Sequence, residues 1–330
     1  MDFIFSLLII LATCHLFVFL GKKAKIPGVV MLIVAGLVFT ITPIKDFIIS
    51  GNQGIVSALG DAGLLILMFI AGLEVSVAEI DDEKRNSTIL AFFSTILPIL
   101  LSFAVFSALG FPALTSLMVG IAIAITAEAT TADVLIGLKK MKTKAAAVIM
   151  GSGIINDMIG VLLFIVISII FASGIGGQFI AIGAIAAFFL GIFSHRIVRR
   201  KGEKSALEKA SLFLLVPFFF ISVGLKFNLG SIIIGPWILV AIVAVAVIGK
   251  ILGVFLTKGP TGFTNKKLLL IGWAINSGGG MQLALSLVAL RIGILNEQLY
   301  SGIVVMALLT TLVFPLIITH MINKHKEIMN

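Results

Sequence analysis

The sequence predicts an all-α protein that crosses a membrane many times, and three observations predict this fold class. Hydrophobic residues make up 60% of the 330 and charged residues only 12%, with a mean hydropathy of +1.23. The apolar residues form eleven runs, and we expect helices because isolated strands cannot satisfy their backbone polar groups in lipid. All but four of the 24 Lys and Arg residues lie in one set of alternate loops or at the ends of the runs that border these loops.

The charge of these loops predicts the orientation of the chain. The exceptions to the alternation are Lys45, Lys226, Arg291 and Lys250. Since basic loops stay in the cytoplasm, the N-terminus is expected outside and the C-terminus inside, and the net charge of +9 indicates topology rather than nucleic-acid binding. The first run lacks the features of a cleaved signal peptide, so we expect a retained helix. The eleven predicted spans are 3–20, 28–42, 60–80, 88–109, 113–138, 144–172, 178–195, 209–225, 232–257, 266–292 and 298–322.

An internal repeat relates two of the spans. Residues 68–75 (MFIAGLEV) resemble residues 220–227 (FISVGLKF) at an offset of 152, and the predicted topology gives the two copies opposite orientations. Inverted repeats are typical of secondary transporters, in which two broken helices frame an ion site near the bilayer midplane. For the glycine-rich segment at residues 278–280, the alternative is that the glycines only permit close helix packing.

The repeat predicts where the two broken helices lie. A polar run from Thr126 to Asp133 interrupts span 113–138, and the same offset leads to a glycine-rich segment in span 266–292. Consecutive glycines and mid-span polar residues disfavour a continuous helix. The residues of the second expected break are Asn276, Ser277, Gly278, Gly279 and Gly280.

The span 144–172 carries Asn156 and Asp157 at its centre. A carboxylate at mid-depth in a bilayer is costly, and such residues mark ion or proton pathways. An Asp held neutral by hydrogen bonds between helices is the alternative. We expect Asp157, with Asn156, Thr126 and Glu128, to bind a cation or a proton in competition, because binding either one removes the uncompensated charge.

The remaining charged and polar residues have two interpretations each. Lys250 is either an anchor at the membrane interface or an ammonium beside the site, with Glu128 as its expected partner. Asp133 either belongs to the ion pathway or caps the second half-helix. Glu74 either ends a helix in solvent or lines the cytoplasmic approach, and Ser152 is a further pathway candidate. One cysteine, Cys14, excludes an intramolecular disulfide, and because the histidines are not clustered we expect no resident metal site.

At these residues the sequence resembles the monovalent cation:proton antiporters, the branch that includes the Kef-type and Nap-type exchangers. The resemblance runs over almost the whole chain. Its segments, in order, are Ile26-Pro27-Gly28, Ala35-Gly36-Leu37, residues 69–74, residues 126–129, Asn156-Asp157, residues 220–225, Gly249-Lys250 and residues 306–312.

The resemblance implies a sodium/proton antiporter-like fold in a homodimer. Residues 1–330 would form one transporter domain in a prokaryotic plasma membrane. A core bundle (88–172 plus 232–322) would carry the ion site and move against a scaffold (1–80 plus 178–225). Asp157 takes the family's ion-binding carboxylate, Lys250 its intramembrane lysine and Thr126 its unwound segment.

The chain also departs from the family pattern. Members commonly have twelve or thirteen spans, and Kef-type members often carry a nucleotide-binding regulatory domain that this sequence lacks. Gly278 and Gln282 stand where Arg and Glu are frequent. Many electrogenic members have Asp-Asp in place of Asn156-Asp157, so the pair resembles the electroneutral exchangers.

Together these features predict a transporter rather than an enzyme, exchanging Na⁺ for H⁺ by elevator-type alternating access. K⁺/H⁺ exchange and sodium-coupled symport of an organic solute are the alternatives. The expected partners are a monovalent cation, a proton, the lipid bilayer and a second copy of the chain. We expect no resident cofactor and no nucleic acid.

Overall fold

The computed structural model describes residues 3–24, 26–49, 51–74, 83–171, 175–198 and 206–329, and this part of the chain is helical without strands. A π-helical turn, Lys45–Ile49, and a 3₁₀ turn, Lys326–Met329, accompany the α-helices. In chain order the α-helices are α1 Phe3–Ala24, α2 Gly28–Val38, α3 Thr42–Ile44, α4 Gln53–Glu74, α5 Lys84–Ala108, α6 Ala113–Ala124, α7 Glu128–Gly137, α8 Lys144–Phe171, α9 Ile175–Val198, α10 Ala206–Leu214, α11 Val216–Leu225, α12 Leu229–Ile234, α13 Pro236–Leu256, α14 Lys258–Thr261, α15 Asn265–Ala274, α16 Gly280–Arg291 and α17 Glu297–Lys324.

Every predicted span contains one helix or a pair of helices, but the predicted number of crossings is not confirmed. By length and apolar character, 7 helical segments of the described residues could cross a membrane, with α6 and α7 counted as one. The number is 8 if Gly28–Val38 and Thr42–Ile49, which are bent by 81°, form a single span. The boundaries also shift, since α4 begins at Gln53 rather than at residue 60.

The helix ends follow local sequence signals. The side chains of Thr264 and Asn296 cap α15 and α17 by accepting hydrogen bonds from the backbone N–H groups of Lys267 and Leu299, at 3.3 and 2.9 Å. These bonds satisfy amides that have no partner within the first turn of a helix. Pro236 is the first residue of α13, where its missing N–H is not needed.

The chain forms two compact units. Unit 1 comprises Met1–Val75 and Gly176–Asn228, and unit 2 comprises Ser76–Ile175 and Leu229–Asn330. Unit 1 thus contains α1 to α4 and α9 to α11, and unit 2 contains the other helices.

In unit 1 the helices pack through glycines. α11 lies against α2 and α4, and Gly36 of α2 meets Gly224 of α11 so closely that a Cβ on either would overlap the backbone of the other helix. Gly72 of α4 makes the same kind of contact with the backbone of α9 at Phe188. Two of these residues, Gly72 and Gly224, are the glycines of the internal repeat. Small residues allow this close approach of helices in lipid.

Unit 2 is organised around α5, which packs against α6, α8 and α13. A cluster of buried apolar residues joins α8 and α15 to α17 and the 3₁₀ turn. Most of the buried polar side chains of the described residues lie in this unit. The fold of unit 2 therefore brings the interruptions at 125–127 and 275–279 together with the polar centre of α8.

Candidate functional site

Two interruptions of helical structure form the frame of the site. The first lies between α6 and α7 at residues 125–127, and the second lies between α15 and α16 at residues 275–279. Both broken helices predicted from the repeat are thereby confirmed, although Gly280 begins α16 rather than belonging to the break. Ile125 is extended, with φ −64° and ψ 144°, so its carbonyl is released from the helical pattern.

The two interruptions cross and are hydrogen-bonded to each other. The backbone N–H of Ala127 donates to the carbonyl of Ser277 at 2.9 Å, and the Ser277 hydroxyl donates to the carbonyl of Ala127 at 3.0 Å. The Thr131 hydroxyl donates to the carbonyl of Ala274 at 3.0 Å. Gly279 permits this approach, since a Cβ at this position would lie 2.6 Å from the Cβ of Ala127. The crossing therefore satisfies backbone groups that the breaks release.

Lys250 of α13 links the ends of both half-helices. Its side chain is 2% exposed, so the interpretation as an interfacial anchor is wrong. The Nζ atom donates to the carbonyls of Ile125 and Ile275, at 3.0 and 3.1 Å, which are the C-caps of α6 and α15. Helix C-termini carry partial negative charge, which a cation stabilises. Both acceptors are backbone carbonyls. The two accepting residues, 125 and 275, are 150 positions apart, whereas the offset of the internal repeat is 152.

Asp157 lies beside the first interruption. Its side chain is partly exposed, and its Oδ1 atom accepts a hydrogen bond from the backbone N–H of Thr126 at 3.1 Å. The charge of Asp157 also acts on Lys250 electrostatically. The Thr126 hydroxyl is buried and has no hydrogen-bond partner among the described residues. A carboxylate, a hydroxyl and backbone carbonyls are oxygen donors of the kind that a small hard cation prefers.

Asn156 is directed to a different neighbour from Asp157. It is fully buried, and its amide bonds to α5, where the Thr95 hydroxyl lies 2.9 Å away and the Ser94 hydroxyl 3.2 Å away. With the amide nitrogen turned toward α5, it also donates to the carbonyl of Ala91 at 2.9 Å. Consecutive helical residues point about 100° apart, so the two members of the pair face different helices.

Glu128, the first residue of α7, contacts α8 one turn away from Asp157. It is partly exposed, and a Cβ on Gly153 would lie 2.7 Å from both its Cγ and its Oε1 atoms. Residues four apart lie on the same face of a helix, so Glu128 packs on the face of α8 that carries Asp157. Two carboxylates, from α7 and from α8, thus lie near the crossing.

The other predicted residues are more dispersed. Asp133 is exposed in the middle of α7 and does not cap it, because the N-cap is Ala127. Ser152 is fully buried and donates to the carbonyl of Ile149 in its own helix at 3.0 Å. Glu74 ends α4, and its side chain lies outside the described residues.

The second interruption is held by its own helix and by α17. The amide of Asn276 donates to the carbonyl of Gly272 at 2.8 Å, and the carbonyl of Gly278 accepts from the Thr311 hydroxyl at 2.7 Å. Gly278 packs so closely on Ala307 that a Cβ would lie 2.7 Å from its Cα. Gln282 is 1% exposed beside this segment.

The sequence interpretation missed several residues that support the site. They are Ser94 and Thr95 on α5, Thr131 on α7, Gly153 on α8 and Thr311 on α17. One signal was available for α5: Ser87, Ser94, Thr95 and Ser102 recur at helical spacing on one face and are all buried. Polar residues aligned on one face of a membrane helix indicate a polar neighbour within the bundle.

Comparisons with known proteins indicate the family of this chain. The family model described as sodium/hydrogen exchanger, transmembrane, matches residues 7–200 and 169–324. The Na⁺/H⁺-K⁺ antiporter GerN of Bacillus cereus is 22% identical, with 95% of each chain covered. The probable Na⁺/H⁺ antiporter 3 of Methanocaldococcus jannaschii is 32% identical over 48% of this chain and 39% of that protein.

A solved structure shares the fold. The sodium proton antiporter MjNhaP1 from Methanocaldococcus jannaschii, determined at pH 8, superposes with a TM-score of 0.67 at 15% identity, covering 97% of this chain and 96% of that one. The family model matches nearly the whole chain in two overlapping segments. The chain therefore belongs to the sodium/hydrogen exchanger family of transmembrane proteins.

Proposed function

We propose that the protein exchanges a monovalent cation, Na⁺ in the first instance, for H⁺ across a membrane. The observation that carries the proposal is the position of the Asp157 carboxylate, which accepts a hydrogen bond from the backbone of Thr126 within the first broken helix. The relatives GerN and antiporter 3 are named as Na⁺/H⁺ antiporters, which supports the same conclusion.

Competition for one carboxylate makes the binding of the two ions mutually exclusive. A proton on Asp157 removes the charge that holds the cation, and a bound cation opposes protonation. Thr126 contributes its buried hydroxyl to the cation, while Asn156 holds α8 against α5 through Ser94 and Thr95. Reorientation with either ion bound then exchanges one ion for the other.

Lys250 has a positioning role in this mechanism. By donating to Ile125 and Ile275 it neutralises the two half-helix C-termini that the breaks leave inside the bundle. Elevator-type movement would carry the crossing as one body, with unit 2 as the transport core and unit 1 as the scaffold of a homodimer. Because one proton replaces one monovalent cation, the exchange is one-for-one and electroneutral.

The experiment that tests the proposal uses the purified protein in proteoliposomes with a pH-sensitive dye inside. Addition of Na⁺ should drive proton movement in the wild type, and Asp157→Asn should lower this flux at least about hundredfold, the scale of losing the charge that binds the ion. Asp46→Asn, at an exposed acid in unit 1, is the matched control and should exchange normally. Exchange that persists in Asp157→Asn would overturn the proposal.

The same vesicles identify the cation and the stoichiometry. K⁺ and Li⁺ replace Na⁺ in parallel runs, and GerN is named as an Na⁺/H⁺-K⁺ antiporter, so K⁺ is the second ion to measure. An imposed membrane potential should leave the rate unchanged. A rate that follows the potential would contradict one-for-one exchange.

A further inference from the structure

Three ionisable side chains lie near the crossing: the carboxylates of Asp157 and Glu128 and the ammonium of Lys250. Asp157 and Lys250 carry opposite charges that act on each other, so these two groups alone leave an empty site with no net charge. An uncharged empty site could reorient without an ion, and that movement would let the cation leak downhill. A charge on the empty site would resist movement through the membrane and so prevent this leak.

Glu128 supplies the missing charge. It begins α7 directly after the first interruption, where the positive end of the helix dipole attracts a negative charge. Its carboxylate lies against Gly153, one turn before Asp157 on α8. Gly153 leaves the space that this side chain occupies, since a Cβ there would lie 2.7 Å from its Oε1 atom.

We propose that Glu128 is the residue that enforces coupling, by making the empty site anionic while each loaded site is neutral. With Asp157, Glu128 and Lys250 all ionised, the empty site has a net charge of minus one. One bound Na⁺ or one proton brings this charge to zero. The inference rests on the proposed cation/proton exchange. In it, Glu128 prevents the return of the empty carrier and does not bind either ion.

Removal of the Glu128 charge should change the coupling of the two fluxes, which loss of its packing against Gly153 alone would not do. In Glu128→Gln the empty site is neutral and each loaded site carries a charge of plus one, so the carrier returns empty more readily than loaded. Na⁺ then leaves vesicles without an equal number of protons entering. We expect the ratio of protons to Na⁺ to fall roughly tenfold, since a unit charge at mid-membrane slows movement by about that factor or more.

The experiment measures both fluxes at once. Na⁺-loaded proteoliposomes contain a pH dye and thiocyanate, which holds the membrane potential near zero, and Na⁺ efflux and proton uptake are recorded together. Glu128→Asp keeps the charge and should keep a ratio near one. The double variant Glu128→Gln/Lys250→Met has an empty site of net charge minus one again, and its ratio should return toward one at a lower absolute rate.

The outcomes separate this inference from the proposed function. A wild type that moves no protons in response to Na⁺ would overturn the exchange function itself. A wild type that exchanges, together with Glu128→Gln that keeps a ratio of one, would overturn the coupling role. If Glu128→Gln does not fold, Glu128→Ala takes its place. A Na⁺ leak in either variant that the added Lys250→Met change does not suppress would also overturn the coupling role.

Discussion

The two units of this protein are built from similarly apolar helices but bury different chemistry. In unit 1 the described residues contribute only Ser6 and Ser222 to the buried polar side chains, and all the others belong to unit 2. Unit 1 packs helix backbones together through Gly36, Gly72 and Gly224. Unit 2 instead encloses Lys250, a broken-helix crossing and a network of hydroxyl and amide groups.

Because of this difference, stability and transport can be separated by the unit in which a residue lies. Buried polar groups in lipid are retained only when they are paired and useful, because each unpaired group is costly. A backbone contact between glycines stabilises a helix pair but offers no ligand. Substitutions in unit 1 should therefore change how much protein folds, and substitutions in unit 2 should change what the folded protein does.

The largest effect is expected from Lys250→Met, which should damage both properties. The carbonyls of Ile125 and Ile275 lose their charged donor, and each such bond contributes about 1.5–3 kcal/mol. We expect a loss of about 3 kcal/mol in the free energy of unfolding and at least a tenfold loss of exchange. Thermal unfolding in detergent and flux in vesicles measure the two. Lys226→Met, at an exposed lysine in unit 1, should leave both unchanged.

Gly224→Leu should affect folding alone. Any side chain at this position overlaps the backbone of α2 at Gly36, and overpacking of this kind costs about 1–3 kcal/mol. The yield and the melting temperature should fall, while the exchange rate per folded molecule stays within about twofold of the wild type. Gly54→Leu, which meets open space in the same unit, is the control. A lower rate per folded molecule in Gly224→Leu would show that the division between the units is wrong.

Thr95→Val should have the smallest effect, and one confined to unit 2. It keeps the shape of the side chain but removes the hydroxyl that binds Asn156 at 2.9 Å, at a cost of about 1 kcal/mol. Because α8 is then held less firmly against α5, we expect a several-fold higher KM for Na⁺. Thr88→Val on the exposed face of the same helix should leave the KM unchanged. An unchanged KM in Thr95→Val would indicate that Asn156 does not position Asp157.

The sequence predicted the crossing because its signals are local. Three consecutive glycines disfavour a helix, and the second break lies within one residue of its expected position. The first break is shorter than the polar run, because residues 128–133 of that run already belong to α7. The acceptors of Lys250 could not be predicted in the same way. They are backbone carbonyls, and any residue at positions 125 and 275 would supply them.

The direction of individual side chains was harder to predict than their membership of the site. Asn156 and Asp157 are adjacent in sequence, yet a helix turns them toward different neighbours, and Asn156 meets α5. The role of Gly153 depends on Glu128 lying opposite it, which only the packing of α7 on α8 reveals. The predicted number of spans is not confirmed for a related reason, since several of the described helices are too short or too bent to reach across a membrane by length alone.

Exchange by this mechanism depends on one carboxylate, Asp157, that binds either a cation or a proton. The most direct test adds Na⁺ to the purified protein in weakly buffered detergent solution and measures the protons released. We expect a release that saturates with Na⁺ at up to one proton per chain and is absent in Asp157→Asn. Release of the same size from Asp157→Asn, or saturable Na⁺ binding to the wild type with no proton release at any pH, would contradict competition at Asp157.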